Sequence, residues 1–239
     1  MGATGTEEQI APEKMNFRHI RIMAASAGTG AAKKLIRIDV CSDTVCPWCF
    51  VGKKYLDKAI AASKDQYDFE IRWHPYQLGP DAPKQGVDKR DFFRRKFGAQ
   101  SERMAARMSE VFRSLDLDYN LSGLTGNTLD SHRLIYFAGK QGLDKQHNLV
   151  EELGVGYFTE AKFIGDRKFL LECADKVGVI GAGEFLANPN NGVDQVNEEF
   201  EKFCAGISGV PFFVINGKKK YGGAQSPEVL LKAFQEAAN

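Results

Sequence analysis

Strand-type and helix-type apolar patterns are segregated along this chain. Runs rich in β-branched and alternating apolar residues lie near its two ends, and about a hundred residues between them carry only helical periodicity. A single sheet must therefore be assembled from segments far apart in sequence, with a helical block interposed. The first strand is read at Leu35, Ile36, Ile38 and Val40, ending at Ser42-Asp43-Thr44. A helix follows from Pro47, because Val51, Tyr55, Leu56, Ala59 and Ile60 recur at helical spacing opposite a lysine-rich face. The second strand alternates Phe69, Ile71 and Trp73 with Glu70, Arg72 and His74, and stops at Pro75.

Helices are then expected at residues 88–97, 101–115, 129–141, 145–159, 166–177 and 181–186, with no strand-type run among them. The stripe Met104, Met108, Val111, Phe112 and Leu115 reads first as bundle core and second as the wall of a groove. A helix at 193–203 precedes the hairpin "VPFFVINGKKKYGG", whose Asn216-Gly217 forms the turn and whose lysines form a charged tip. The last helix, at 229–238, is introduced by Ser226, Pro227 and Glu228, which suit its cap, its first position and its dipole. The order is β-α-β, helices, α-β-β-α: an α/β thioredoxin-like fold with an inserted all-helical domain. The implied boundaries are 35–84 and 190–239 for the thioredoxin-like domain and 85–189 for the insertion, with an unstructured tail at 1–34.

The chain has 239 residues, 43% hydrophobic and 26% charged, enough to bury a sizeable core. Its 32 basic and 31 acidic residues give a net charge of +1, which disfavours nucleic acid as a partner. No apolar run is long enough to span a membrane, and the first 34 residues lack a secretory core, so a cytoplasmic location is expected. A basic, acid-free stretch from Lys14 to Lys34 leaves organellar import open, and Met15 and Met23 are alternative starts. In a reducing cytosol five cysteines do not suggest a disulfide framework. A close pair is then redox-active or metal-binding.

That pair is Cys46-Pro47-Trp48-Cys49. Pro47 suits the first position of a helix, which puts Cys46 at its N-cap, facing free backbone N–H groups and the positive end of the dipole. Thiolate formation is favoured there, and Cys46 reads as the nucleophile with Cys49, one turn in, as the resolving thiol. Trp48 brings no cation, so a less oxidising pair than the strongest oxidants is expected. A zinc site needs four ligands, and His19, His74, His132 and His147 are dispersed, so no metal is expected. Cys41, Cys173 and Cys204 read as packed thiols, with a regulatory disulfide between Cys204 and the active pair kept open. In "SGVPFF", a cis bond at Val210-Pro211 would leave a free backbone edge beside the dithiol.

The stretches "DVCSDTVCPWCFVGKKYLDKAI", "RWHPYQLGPDAP", "NTLDSHRLIYFAGKQG", "YFTEAKFIGDRKFL" and "SGVPFFVINGKKKYGGAQSPEVLLKAF" together resemble the FrnE-type branch of the DsbA-like thioredoxin superfamily. The resemblance implies protein thiol-disulfide oxidoreductase or isomerase activity at Cys46 and Cys49, a cis-proline at Pro211 preceded by Val210, and protein disulfides or dithiols as substrates. It implies no tightly bound cofactor, with glutathione available as reductant. Relatives that act on glutathione, the kappa-type transferases and 2-hydroxychromene-2-carboxylate isomerases, supply the alternative; they generally carry serine where this chain has Cys46. Asn127 and His132, with Arg133, fall where such relatives face the active site, and helix capping is their competing role. The resemblance also calls for a buried acid serving the resolving thiol: Asp39 is the candidate general base, and Asp43 reads as a turn residue.

Overall fold

The computed structural model describes residues 33–239; the expectation of an unstructured tail falls, except for Lys33 and Lys34, outside them. Strand β1 (Lys34–Ser42) buries Ile36, Ile38 and Val40 and turns Arg37 and Asp39 to its other side, the period-2 alternation of a sheet strand. Helix α1 (Pro47–Ser63) carries it across to β2 (Tyr67–Pro75), which pairs parallel with β1 over their whole length. The next strand pair, β3 (Val87–Asp88) and β4 (Leu124–Thr125), is a two-residue ladder within the stretch expected to lack strands, too short to leave a periodic signal.

Beyond β2 the chain runs through α2 (Lys89–Phe97), α3 (Ser101–Arg113), α4 (Leu129–Gly139), α5 (Leu143–Phe158), α6 (Arg167–Lys176) and α7 (Ala182–Ala187). They lie within a residue or two of the sequence reading for most ends. Helix α8 (Val193–Glu199) continues as a π-helical turn, Phe200–Cys204, and leads to β5 (Phe212–Ile215), β6 (Lys219–Gly222) and α9 (Pro227–Ala237). The sheet order is β2-β1-β5-β6, with β5 antiparallel to both neighbours. Strand β1 is thus central, and it delivers its C-terminal end directly to α1.

Helices α1 and α9 cover one face of the sheet, where Phe69 of β2 meets Phe234 of α9 with centroids 5.0 Å apart. The helical block shares this core. Phe50 of α1 stacks on Phe158 of α5 at 5.5 Å and reaches Phe112 of α3 at 5.9 Å. The approach needs Gly154 in α5, since a Cβ there would stand 2.3 Å from the Phe50 ring. A polar clasp runs beside it. The Trp73 indole donates to His147 Nδ1 (3.1 Å), so His147 Nε2 carries the proton toward Asp57 (2.7 Å), and Asp57 pairs with the buried Lys53 (2.7 Å).

The opposite sheet face is covered near the end of β1 by the π-helical turn. His74 stacks on Phe203 with centroids 3.8 Å apart, and Cys41 and Cys204 are joined by a disulfide whose Cα atoms are 5.9 Å apart. This corrects the reading of Cys41 and Cys204 as packed free thiols. The two positions become neighbours only when the π-helical turn docks on the sheet, 163 residues along the chain. Cys173 is a buried free thiol.

Closing so long a loop removes denatured-state entropy worth roughly 3–5 kcal/mol. The double variant Cys41→Ala, Cys204→Ala is expected to lose that much stability in urea unfolding against the oxidised protein. Indistinguishable midpoints would show that the cross-link is energetically silent.

Candidate active site

The turn leaving β1 is closed by the Cys46 N–H donating to the Asp43 carbonyl at 3.1 Å. Cys46 has extended backbone (φ −87°, ψ 111°) and is the N-cap of α1, with Pro47 as its first helical residue. Its carbonyl accepts the N–H groups of Cys49 (3.0 Å) and Phe50 (3.3 Å), which start the helical ladder. The thiols are therefore set one turn apart at the helix start.

Their electrostatics differ in sign. A hydrogen bond from the Cys49 thiol holds the Cys46 thiol below its ordinary value, helped by the Cys49 and Trp48 backbone N–H groups and opposed by burial and the Asp43 carboxylate. Burial, and then the neighbouring Cys46, push Cys49 well up. Cys46 is 6% exposed and Cys49 3%. Exposure alone barely separates them; access does. Cys46 lines an open groove of about 450 Å³ along with Trp48 and Val210, whereas Cys49 is outside that lining and faces a small inner cavity of about 20 Å³, shared with Cys46, Asp43, His74, His132 and Glu199. A substrate entering by the groove meets Cys46 first.

The Val210-Pro211 bond is cis, and the Val210 carbonyl lies 3.7 Å from Cys46 Sγ. Gly52 permits this approach: a Cβ on it would be 3.1 Å from Pro211 Cγ and 3.2 Å from Phe213. Trp48 is 36% exposed at the groove mouth, under the Arg107 guanidinium, which lies 5.7 Å from its ring.

The other expected residues are placed less simply. Asp39 does not bond to the thiols; it accepts from His74 at 2.9 Å, and the other ring nitrogen of His74 faces Glu199 at 3.1 Å. These carboxylate contacts outweigh burial and raise the His74 pKa. His132 is buried with its Nε2 3.4 Å from Asp43. Asn127 is engaged in structure, donating to Pro80 O at 2.6 Å and accepting the Leu129 N–H at 2.9 Å. Arg133 likewise secures the loop before α8 through the Asn188 and Asn191 carbonyls.

The sequence reading undervalued Asp43, which is fully buried, accepts the Leu78 N–H at 2.7 Å and is the carboxylate acting on Cys46. It missed Glu199, Tyr119 and Arg107. Tyr119 is raised by burial and next by the charge of Cys46, which marks its closeness to the thiol. No motif announces these three, because tertiary packing of α3, α8 and the segment after α3 brings them to the dithiol.

Comparison with known proteins bears on the family and the fold. The family model of the DSBA-like thioredoxin domain matches residues 37–235. The chain is 26% identical over 204 residues to the uncharacterized protein YwbO of Bacillus subtilis (strain 168), covering 84% of this chain and 96% of YwbO. The crystal structure of the probable DsbA oxidoreductase SCO1869 from Streptomyces coelicolor superposes with a TM-score of 0.75 at 29% identity, covering 84% of this chain and 89% of that one. A 2-hydroxychromene-2-carboxylate isomerase shares the fold, with a TM-score of 0.62 at 13% identity over 84% of this chain and 95% of its own.

The lowered Cys46 and raised Cys49 set a pH dependence. Because the folded state favours the Cys46 thiolate, iodoacetamide labelling of the reduced protein should reach half-maximal rate below the free-thiol value of about 8.5. Cys49→Ala should move that midpoint upward by removing the largest stabilising contact, and Cys173, pushed up to about 12, should stay unlabelled. Mass spectrometry reads each site; a Cys46 midpoint at or above the free-thiol value contradicts the assignment.

Proposed function

The chain belongs to the DSBA-like thioredoxin domain family, and on that premise we propose that it is a protein thiol-disulfide oxidoreductase with isomerase capability, using Cys46 as nucleophile and Cys49 as resolving thiol. The observation that carries this reading is the asymmetry of the dithiol. One thiol with a lowered pKa opens on a groove, and its partner is held protonated behind it.

In the reductive direction Cys46 Sγ⁻ attacks one sulfur of a substrate disulfide. The substrate S–S bond breaks, a Cys46–substrate mixed disulfide forms, and the other substrate sulfur leaves as thiolate. Cys49 then gives up its proton and attacks Cys46 Sγ. The second substrate sulfur leaves as thiolate, the Cys46–Cys49 disulfide remains, and two electrons have passed to the substrate. Run backwards, the same steps oxidise a dithiol. If another substrate thiol attacks the mixed disulfide before Cys49 does, the substrate disulfide is isomerised.

The proton leaving Cys49 needs an acceptor. Asp43, Glu199 and His74 face the inner cavity with Cys49, and Asp39 communicates with it through His74. We assign Asp39 the role of positioning His74, in place of the direct base anticipated from the sequence. Glutathione fits as the thiol that recycles the Cys46–Cys49 disulfide. The Cys41–Cys204 disulfide weighs against the strongly reducing cytosol expected from the sequence.

A second reading, glutathione-dependent transfer or isomerisation of a small molecule, draws on the groove, whose 450 Å³ lies within the range of small-ligand sites. Glutathione binding that survives removal of both active-site thiols would favour it.

Insulin reduction and refolding of a scrambled disulfide protein test the main reading. Cys46→Ser is expected to lower both rates by at least about a hundredfold, since the nucleophile is lost. Cys49→Ser should accumulate a mixed disulfide visible on non-reducing gels. Retention of both rates by Cys46→Ser would exclude the proposal.

A further inference from the structure

The groove that opens on Cys46 has a lopsided character. Its wall toward the helical block is apolar, formed by Phe92, Phe93 and Phe97 of α2 and Met104 and Met108 of α3, with Trp48 on the facing side. The methionine stripe thus serves twice: Met108 is buried against the core, and Met104 and Met108 both line the groove. Apolar walls at a nucleophile suit a side chain that gains by leaving water.

Charge is distributed just as unevenly. Between Lys89 and Arg113 stand eight basic and three acidic residues, in a chain whose net charge is +1. On α2 and α3, Arg94 alone comes near carboxylates among the described residues, Asp91 at 3.9 Å and Glu102 at 3.8 Å. Lys96 and Arg107, both exposed, line the groove without an ion-pair partner among the described residues. Their contacts are with aromatic rings: Lys96 with Phe92 at 5.6 Å and Phe97 at 5.7 Å, Arg107 with Trp48 at 5.7 Å. Lys89 also lines the groove, but its ammonium is tied to the Tyr157 carbonyl at 2.8 Å. Among the described residues the one carboxylate in the lining is Asp43, buried and already bonded to the Leu78 N–H and set against His132.

The groove is also not an isolated pouch. Phe93, Tyr119 and Leu121 form a partition shared with a second recess of about 320 Å³, which presents Arg90, Arg94 and Glu102. Two adjoining recesses, the first apolar and the second with more cations than carboxylates, outreach a small molecule and suit an extended chain. Nucleic acid is disfavoured by the apolar lining and the near-neutral charge of the whole protein.

We propose that this surface receives an extended segment of a client protein whose cysteine is flanked by apolar and then acidic residues, with Lys96 and Arg107 as specificity-determining residues. The inference rests on the dithiol reading above. Acidic flanks meet two unpaired cations at the approach to Cys46, and lysine-rich flanks meet like charge, so selection acts by attraction and by repulsion.

The test uses the reduced, full-length protein and two disulfide-linked peptides with the same apolar residues around the cysteine, one flanked by aspartates and the other by lysines. Bis(2-hydroxyethyl) disulfide serves as a neutral reference. The aspartate peptide should exchange about tenfold faster in kcat/KM at low salt, and the ratio should shrink toward unity as salt approaches about 0.5 M. K96E/R107E should reverse the preference and K96R/R107K should retain it. Because both peptides are measured on one preparation, the ratio does not depend on the folded fraction. Equal rates for the two peptides, or an unaltered ratio in K96E/R107E, would overturn the inference while leaving the dithiol reading in place. Failure to exchange even with the neutral disulfide would instead remove the dithiol reading, and this inference with it.

Discussion

The junction between β1 and α1 is the constraint on which the rest of the structure depends. A central strand ends, four residues turn, and a helix begins with Cys46 as its N-cap. A helix start leaves backbone N–H groups without partners, and here those groups lie beside a thiol. The Cys49 thiol adds a hydrogen bond. Stabilising the Cys46 thiolate therefore requires no nearby cation, and it holds against both burial and the opposing Asp43 charge.

Everything around the junction serves to fix it. From the sheet side, the Cys41–Cys204 disulfide ties β1 to the π-helical turn that ends α8, and Val210 follows six residues beyond Cys204. The cross-link thus anchors both chain segments that meet at Cys46 Sγ. From the helix side, Gly52 lets the Pro211 loop come close, and Gly154 lets α5 press against Phe50. The Trp73–His147–Asp57–Lys53 clasp satisfies polar groups that would otherwise be costly between α1, β2 and α5. Asp57 is held below the usual carboxylate range, since the contacts with His147 and Lys53 outweigh the opposing effect of burial.

Local signals account for much of what the sequence made legible. Pro47 marked the start of α1, Ser226-Pro227 marked the start of α9, and Asn216-Gly217 marked the hairpin; each acts through its own backbone preference within a few residues. The helical periods of the middle block were legible for the same reason. Readings that depended on distant partners fared differently. Asp39 looked like a buried acid within an apolar strand, yet its side faces His74 and is partly exposed. Asn127 sits in a stretch suggestive of the site, but loop 78–83 takes up its amide through Pro80. Cys41 and Cys204 carried no hint of one another.

The sequence by itself determined which thiol lies at a helix start and hence the chemical asymmetry of the dithiol, because capping and helix geometry are set by adjacent residues. Only the tertiary structure decided what surrounds that dithiol. The acids and histidines of the inner cavity come from the turn after β1, from β2, α4 and α8, and the exposed cations and the phenylalanine and methionine wall of the groove come from α2 and α3. Such neighbours are selected by which faces must bury apolar surface together, a property of the assembled chain that no short window of it contains.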